Sequence, residues 1–147
     1  LTNMGLMTPV AFTLVASLLF LPTAALAEIR SGTASWYDTK SACPHNPDPT
    51  CPTASGISLY VLEDIGAAFA AMWDVPLNSL VRVCHEPSPS NIQRRCIDVT
   101  IRDRGPAQRL VAQGRIIDLS RAAFLAIADR WHLEEQGLLP VTVELLP

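Results

Sequence analysis

The stretch that decides the fold is CIDVTIRDRGP, residues 96–106, in which apolar and polar side chains alternate up to a Gly-Pro turn. The alternating positions are Ile97, Val99 and Ile101 on one side and Asp98, Thr100 and Arg102 on the other. A period of two predicts a strand with the first set buried and the second more exposed. Asp103 continues the buried series, so we expect it at the end of the buried face, where a barrel opens.

Asp103 has two interpretations at this stage. A carboxyl group at the end of a buried face is partly desolvated, which favours the protonated form that a general acid needs. The flanking Arg102 and Arg104 favour the charged form instead, because they place positive charge nearby. The alternative is a turn residue that accepts backbone N–H groups from the Arg104-Gly105-Pro106 turn. The residues alone leave both interpretations open.

Asp118, in the segment IIDLS, is a second candidate carboxylate. It follows a short apolar strand and lies two residues before Ser120, a residue suited to cap a helix. The alternative role for Asp118 is structural, since a carboxylate near a helix N-terminus accepts N–H groups there.

Further elements follow from periodicity and turn residues. Strands are predicted over residues 32–37, 76–85, 114–120 and 139–147, the last with Val141, Val143 and Leu145 on one face. Helices are predicted over residues 61–73 and 121–132. The first places Ile65, Phe69, Met72 and Trp73 on one face, and the second buries Phe124, Ile127, Ala128 and Trp131. Short strands with two interposed helices predict a small, mainly β barrel.

Composition narrows the class of protein. The chain has 147 residues and a formal net charge of -3, which gives no electrostatic reason to expect a nucleic acid or an anionic membrane as partner.

Residues 1–27 contain no charged side chain and end in Ala25-Leu26-Ala27, which predicts a signal peptide cleaved before Glu28. A membrane anchor is the less favoured alternative, because the apolar core of residues 10–21 is short. One domain is then expected over residues 28–147.

The four cysteines are expected to form two disulfides, since their number is even and the domain is predicted to be exported. Three pairings are open, and we favour Cys43–Cys51 with Cys84–Cys96 because each closes a local loop. A zinc site is the alternative, but the spacings match no common structural zinc pattern. We therefore predict neither a metal nor a cofactor.

Five segments together resemble the rare lipoprotein A family. They are SGTASWY (31–37), TASG (53–56), VPLNSLVRV (75–83), VTIRDRGP (99–106) and GRIIDLSRAAF (114–124), in that order. The resemblance covers about Ser31 to Leu145, and DRGP followed by GRIIDLS is its most specific part. It implies a six-stranded double-psi β-barrel with two short helices.

The resemblance also implies a periplasmic protein that acts on peptidoglycan glycan strands, often as a lytic transglycosylase. Under it, Asp103 is a single general acid/base that protonates the glycosidic oxygen and then deprotonates a hydroxyl of the same sugar. An anhydro end results, whereas ordinary glycosidases use two carboxyl groups. We expect a secreted or periplasmic monomer with peptidoglycan or another wall polysaccharide as partner and no lasting membrane anchor.

Two positions depart from the family pattern. The family's Glu after its TANG-like motif corresponds to Ile57, and its His before the LPFG-like turn corresponds to Met72. Neither side chain can transfer a proton, and Met72 also fits the apolar face of the predicted helix. Two of the family's polar site residues are therefore absent here, unless the cysteine-bearing insert shifts the alignment. His45 or His85 could substitute for the histidine in space, although an exposed loop position is the simpler expectation for a lone histidine.

The predicted disulfides are similar to those of barwin-like and expansin-like barrels. Expansins keep an Asp at the position of Asp118 and loosen wall polymers without hydrolysis, which makes Asp118 the alternate catalytic residue.

Candidate substrate-binding residues are basic and aromatic. Six arginines, at positions 94, 95, 102, 104, 109 and 115, could bind stem-peptide carboxylates if they shared one rim, with Arg102, Arg104 and Arg115 as the main candidates. The alternative is a solvated strand face, which is the preferred explanation for Arg102 taken alone. Trp36 and Tyr37 could stack on sugar rings, although one of the two should face the core because strand neighbours point in opposite directions.

Three classes of function remain open from the sequence. The first is a lytic transglycosylase, supported by the complete DRGP and GRIIDLS segments. The second is a non-catalytic barrel that binds the wall or loosens it as expansins do. It is favoured by Ile57 and Met72, which cannot transfer protons. The third is a secreted inhibitor of another enzyme.

Overall fold

The computed structural model describes residues 27–86, 92–128, 132 and 136–147, and within them six strands close into a barrel. The strands are β1 (Ile29–Tyr37), β2 (Phe69–Ala71), β3 (Leu80–His85), β4 (Arg95–Asp103), β5 (Arg115–Ser120) and β6 (Leu139–Leu145). Their order around the barrel is β1-β5-β2-β4-β3-β6. The pairs β1/β5 and β2/β4 are parallel and the other neighbours antiparallel. The predicted six-stranded barrel is confirmed.

Short helices connect the strands on the outside of the barrel. They are α1 (Thr39–Ala42), α2 (Leu59–Asp64), α3 (Gln108–Val111) and α4 (Arg121–Ile127), with a 3-10 turn at Cys43–His45. Helix α4 begins at the predicted cap, where the Ser120 hydroxyl accepts the backbone N–H of Ala123 at 3.3 Å. Phe124 and Ile127 are buried as predicted. Trp131 and residues 1–26 of the predicted signal peptide lie outside the described residues.

The predicted helix over residues 61–73 is wrong in its second half. Helix α2 ends at Asp64, and Gly66 follows in the left-handed region at φ 64°, a common way for a helix to stop. The chain then turns into β2, which pairs with both β4 and β5. As a result Ile65 is 69% exposed and Trp73 is 45% exposed, whereas the helical spacing placed both on one face with Phe69 and Met72, which are buried.

Two apolar clusters lie on opposite faces of the barrel wall. The central core fills the barrel with side chains such as Val83, Val99, Ile101, Ile117 and Val143, which are all fully buried. A smaller side cluster lies outside the wall and contains Cys43, Cys51, Leu59, Leu62 and Phe69, with Tyr37 and Ile57 packed against it. The alternation predicted for β4 is confirmed at Val99 and Ile101, while Ile97 is only partly buried. Asp98 is exposed and forms a two-bond ion pair with Arg82, at 2.8 and 3.0 Å.

All four cysteines are paired as favoured from the sequence. Cys43–Cys51 closes the proline-rich loop after β1 and lies in the side cluster. Cys84 and Cys96 are direct neighbours on β3 and β4, with a Cα–Cα separation of 4.0 Å. In the described parts of the chain, no helix has both the length and the apolar composition needed to cross a bilayer.

Candidate active site

Four small or acidic residues form a row across four neighbouring strands. Asp103 of β4 lies opposite Ala71 of β2, Ala71 lies opposite Asp118 of β5, and Asp118 lies opposite Ser35 of β1. Residues directly opposite each other in a sheet present their side chains on the same face. The methyl group of Ala71 is therefore the only side chain between the two carboxylates in this row, which leaves open space between them.

The row lies on the outer face of the barrel wall. Ile117, Leu119 and Ala70 face the central core, so their strand neighbours Asp118 and Ala71 face outward. A cavity of about 280 Å³ opens over the row. Its lining residues are Tyr37, Ser41, Ala42, Ala71, Asp103, Arg104 and Asp118.

The prediction that Asp103 ends the buried face of β4 is wrong. Ala70 lies opposite Ile101, but the next residue, Ala71, lies opposite Asp103, so the register shifts by one residue at Arg102. Such an irregularity gives one strand an extra residue and reverses the faces that follow it. Asp103 consequently shares the outer face with Ala71 and not the inner face with Ile101.

Asp103 is held in place through one of its oxygens. Its Oδ1 accepts the backbone N–H groups of Ala54 and Arg104, both at 2.9 Å. Its Oδ2 accepts the Tyr37 hydroxyl at a longer 3.4 Å. The interpretation of Asp103 as an acceptor in the Arg104 turn is thus confirmed, and Asp103 also lines the cavity.

The TASG segment brings Ala54 to Asp103. The backbone N–H of Thr53 bonds the carbonyl of Ile57 at 2.8 Å, which closes a tight turn, and the N–H of Ser55 bonds the carbonyl of Arg102 at 2.9 Å. The turn is therefore fastened to the end of β4 directly beside the carboxylate. Sequence reasoning used TASG only as a family motif and missed this N–H donor.

Asp118 is half-buried at the other end of the cavity. Its Oδ1 accepts the Ser35 hydroxyl, and a side chain at Gly105 would come within 3.3 Å of its Oδ2. Burial raises the pKa of Asp118, and the negative charge of Asp103 adds to this, while the Ser35 bond and the Arg115 charge oppose it. Asp118 therefore retains a proton at higher pH than an ordinary Asp does. Ser35 was missed from the sequence, although it precedes Tyr37 by the two-residue spacing of a strand face.

Tyr37 lies between the cavity and the side cluster. Its ring packs edge-on against Phe69, with centroids 5.8 Å apart and planes at 88°. Burial raises the pKa of the Tyr37 hydroxyl, and the neighbouring Asp103 charge raises it further, so the group stays a neutral donor. Trp36 faces the other way and packs against the central core. The expectation that one of this aromatic pair faces the core is confirmed.

Comparison with known protein families adds one finding. Residues 29–143 match the family model described as lytic transglycolase. The chain belongs to this family. The match confirms the resemblance inferred from the motifs and identifies the closed barrel as a double-psi β-barrel of a family related to the cell wall. A search of the curated proteins found no match.

Within this lytic transglycolase barrel, the six arginines do not share one rim, which was the condition for their joint binding of carboxylates. Arg94 and Arg95 lie at the opposite end of β4 from Asp103, and eight residues of strand at ~3.3 Å each separate the two ends by roughly 26 Å. Arg94 pairs there with Glu86 at 3.2 Å. Arg109 is exposed on α3.

The three main arginine candidates have separate environments. Arg102 donates to the Asn78 side chain, and Arg104 donates through Nη1 to the carbonyls of Met72 and Val75, both at 2.7 Å. Arg115 lies opposite Thr33 and lowers the pKa of Asp118 through its charge. Arg104 lines the cavity, whereas the described bonds of Arg102 direct it elsewhere.

The two positions that depart from the family pattern are apolar in their surroundings as well. Met72 is 1% exposed in the central core, and Ile57 packs against the side cluster.

His85 is buried at the end of β3 that is remote from Asp103, and its Nδ1 lies 2.9 Å from the Pro140 carbonyl. It is therefore too distant to replace a histidine beside Asp103. His45 is exposed on the 3-10 turn, and no described contact joins it to either carboxylate. Among the described residues, no three His, Cys, Asp or Glu side chains cluster as metal ligands would.

The raised pKa of Asp118 predicts a specific pH dependence of stability. Between the unfolded pKa of about 4 and the raised folded value, the native state binds more protons than the unfolded state, so the free energy of unfolding falls as pH rises. Asp118→Asn should remove this contribution. Urea unfolding at a series of pH values should therefore show that the free energy of unfolding of the variant increases relative to that of the wild type as pH rises.

Asp98→Asn is the control with the opposite sign. The Arg82 hydrogen bond lowers the pKa of Asp98. The contribution of the Asp98 carboxylate to the free energy of unfolding is therefore present at neutral pH and is lost as pH falls through the folded pKa. A pH-independent difference between wild type and Asp118→Asn would contradict the raised pKa.

Proposed function

We propose that the chain is a lytic transglycosylase of peptidoglycan glycan strands, in which Asp118 and Asp103 divide the proton transfers between them. The observation that carries the proposal is the pair of carboxylates on either side of Ala71 in one cavity, of which Asp118 has a pKa raised by burial. A proton donor and a proton acceptor in one cavity are what acid–base cleavage of a glycosidic bond requires.

The proposed reaction consumes no water. Asp118 gives its proton to the bridging oxygen as the bond from that oxygen to the anomeric carbon breaks. A hydroxyl of the same sugar attacks the anomeric carbon, and its proton passes to Asp103. The products are a free hydroxyl on one fragment and an anhydro end on the other, and solvent returns the proton from Asp103 to Asp118.

The surrounding groups suit these roles. Two backbone N–H donors fix Asp103 Oδ1, and the Tyr37 hydroxyl, which lines the same cavity, donates to Oδ2. The Ser35 hydroxyl fixes Asp118 Oδ1, and Gly105 leaves room for a ligand atom near Oδ2 because it has no side chain. Preorganised groups of this kind reduce the rearrangement that the reaction needs.

The proposed location is the periplasm or the outside of the cell. Two disulfides and a cell-wall-related family support an oxidising compartment. Cleavage of a signal peptide spanning residues 1–27 is part of the same proposal.

A wall-binding or wall-loosening barrel is the second candidate. It is favoured by Ile57 and Met72, which occupy positions where the resembled family has proton-transferring residues. Such a protein would use the same cavity and release no fragments.

Product analysis distinguishes these functions. The mature protein is incubated in ¹⁸O-labelled water with purified peptidoglycan, with and without stem peptides, and fragments are analysed by mass spectrometry. We expect unlabelled anhydro-ended fragments. Labelled reducing ends would indicate a hydrolase, and co-sedimentation with the wall without fragments would indicate the binding function.

A further inference from the structure

We propose that Trp73 and the cavity beside it form a second sugar-binding site, which holds a neutral pyranose unit of the glycan strand. This site is adjacent to the cavity lined by Tyr37, Asp103 and Asp118, called here the active-site cavity. The inference rests on the proposed function, because it takes the glycan as the occupant. The cavity, called here the Trp73 cavity, has a volume of about 690 Å³. Its lining includes Arg30, Trp73, Asp74, Gln108, Val111 and Ile116.

The indole ring of Trp73 is exposed but held in position. Its side chain is 45% exposed, and its Nε1–H donates to the carbonyl of Pro106. A large aromatic surface is therefore presented to solvent in one orientation. The C–H bonds of a pyranose form an apolar face with partial positive charge, which packs well on the negative face of an aromatic ring.

Polar groups along the cavity match the hydroxyl edge of a sugar. Arg30 donates to Glu28 at 2.8 Å and to Asp74 at 2.6 Å, and Gln108 adds an amide. Among the described lining residues Arg30 is the only cation, and it is already paired with two carboxylates. An anionic stem peptide would find no unpaired positive charge here, whereas a neutral sugar can bond both the paired charges and the amide.

The Trp73 cavity is joined to the active site through two segments of backbone. Trp73 follows Ala71 by two residues, a distance of at most ~7 Å along an extended chain. Pro106, which anchors the indole, follows Gly105, which lies beside Asp118. Neighbouring units of one strand can bridge this separation, so a glycan in the active-site cavity reaches Trp73 without bending away from the surface.

Arg104 connects the two cavities physically. Its backbone N–H holds Asp103 Oδ1, and its guanidinium holds the carbonyls of Met72 and Val75, on either side of Trp73. The ring and the carboxylate are therefore positioned by the same residue. This fixed relation is what a binding site needs in order to place a bond of the glycan at the carboxylates.

Binding of peptide-free glycan oligomers tests the inference without turnover. Calorimetry on the Asp118→Asn protein is performed with di-, tetra- and hexasaccharides, and affinity should increase with length. Trp73→Leu, introduced into this protein, should weaken hexasaccharide binding about tenfold, whereas Trp73→Phe, which keeps an aromatic face, should weaken it by about threefold or less. Tyr60→Leu is the matched control, since Tyr60 is 50% exposed on α2 and lines neither cavity, and should change nothing.

Oxidation of the indole by N-bromosuccinimide gives a second measurement that does not depend on how a variant folds. Saturating hexasaccharide should protect Trp73, as mapped by peptide mass spectrometry. Unchanged binding in Trp73→Leu, affinity independent of length, or equal oxidation with and without glycan would each overturn the inference. Binding through Trp73 without anhydro products would refute the proposed cleavage alone, and products with an unchanged KM in Trp73→Leu would refute the second site alone.

Discussion

Asp118→Asn is expected to lower the release of anhydro-ended glycan by a factor of about 10²–10⁴, the usual contribution of a general acid. An amide cannot donate a proton to the leaving oxygen, but it retains the shape of the carboxyl group and can still accept the Ser35 hydroxyl. The melting temperature at neutral pH should stay the same or rise, because the raised pKa shows that burial disfavours the charged group. Activity is measured by mass spectrometry of the soluble fragments.

Asp103→Asn should produce a loss of similar size, since it removes the proposed proton acceptor while leaving an oxygen for the N–H groups of Ala54 and Arg104.

In the wild type, the rate of fragment release should fall as pH rises through the pKa of Asp118, because the donor loses its proton. Asp98→Asn is the matched control on the same strand and should keep wild-type activity, as its exposed ion pair with Arg82 contributes little.

The pattern across the two variants decides the mechanism. Full activity in Asp118→Asn with none in Asp103→Asn would favour the single acid/base that the sequence suggested and reject the division of roles. Full activity in both would place the chemistry elsewhere.

Replacing both Cys43 and Cys51 by alanine is expected to cost about 2.5 kcal/mol of stability from the loss of loop closure over 8 residues. Such a loss is a large part of the 5–15 kcal/mol by which a domain is usually stable, and it should lower the melting temperature by roughly 10 °C. Activity should fall as well, because this disulfide belongs to the side cluster that supports Phe69 and Tyr37 behind the cavity.

Replacing Cys84 and Cys96 is the matched comparison. The loop-closure estimate for 12 residues is similar, about 2.8 kcal/mol, but the bridge lies at the end of β4 remote from Asp103. We expect a similar loss of stability with activity retained below the melting temperature. Thermal unfolding and fragment release at 20 °C measure both effects, and equal activity losses in the two double variants would contradict a local role for Cys43–Cys51.

Much of the architecture could be predicted from local sequence. The alternation in β4 is long enough to identify a strand and its inner face at Val99 and Ile101, and short loop closure identified both disulfides. The Ser120 cap marked the start of α4. These features depend on residues close together in the chain, where periodicity, spacing and side-chain chemistry carry the information.

Strand β2 could not be predicted in the same way. Phe69, Ala70 and Ala71 continue the spacing of an amphipathic helix, and three residues are too few to show alternation. They form a strand because β4 and β5 provide hydrogen-bonding partners on both sides, which are distant in sequence. Strand preference depends on such neighbours more than on the residues themselves.

In the candidate site, too, some features follow from local sequence and others only from the tertiary structure. The sequence by itself determined five of the six strands, the disulfides and the two candidate carboxylates, Asp103 and Asp118, because each is carried by a local pattern or a contiguous motif. Only the tertiary structure decided that both carboxylates lie on the outer face, separated by Ala71, since this depends on a register shift between β2 and β4. A shift of one residue reverses the face of every side chain after it, and pairing between distant strands, which no local pattern records, sets that register.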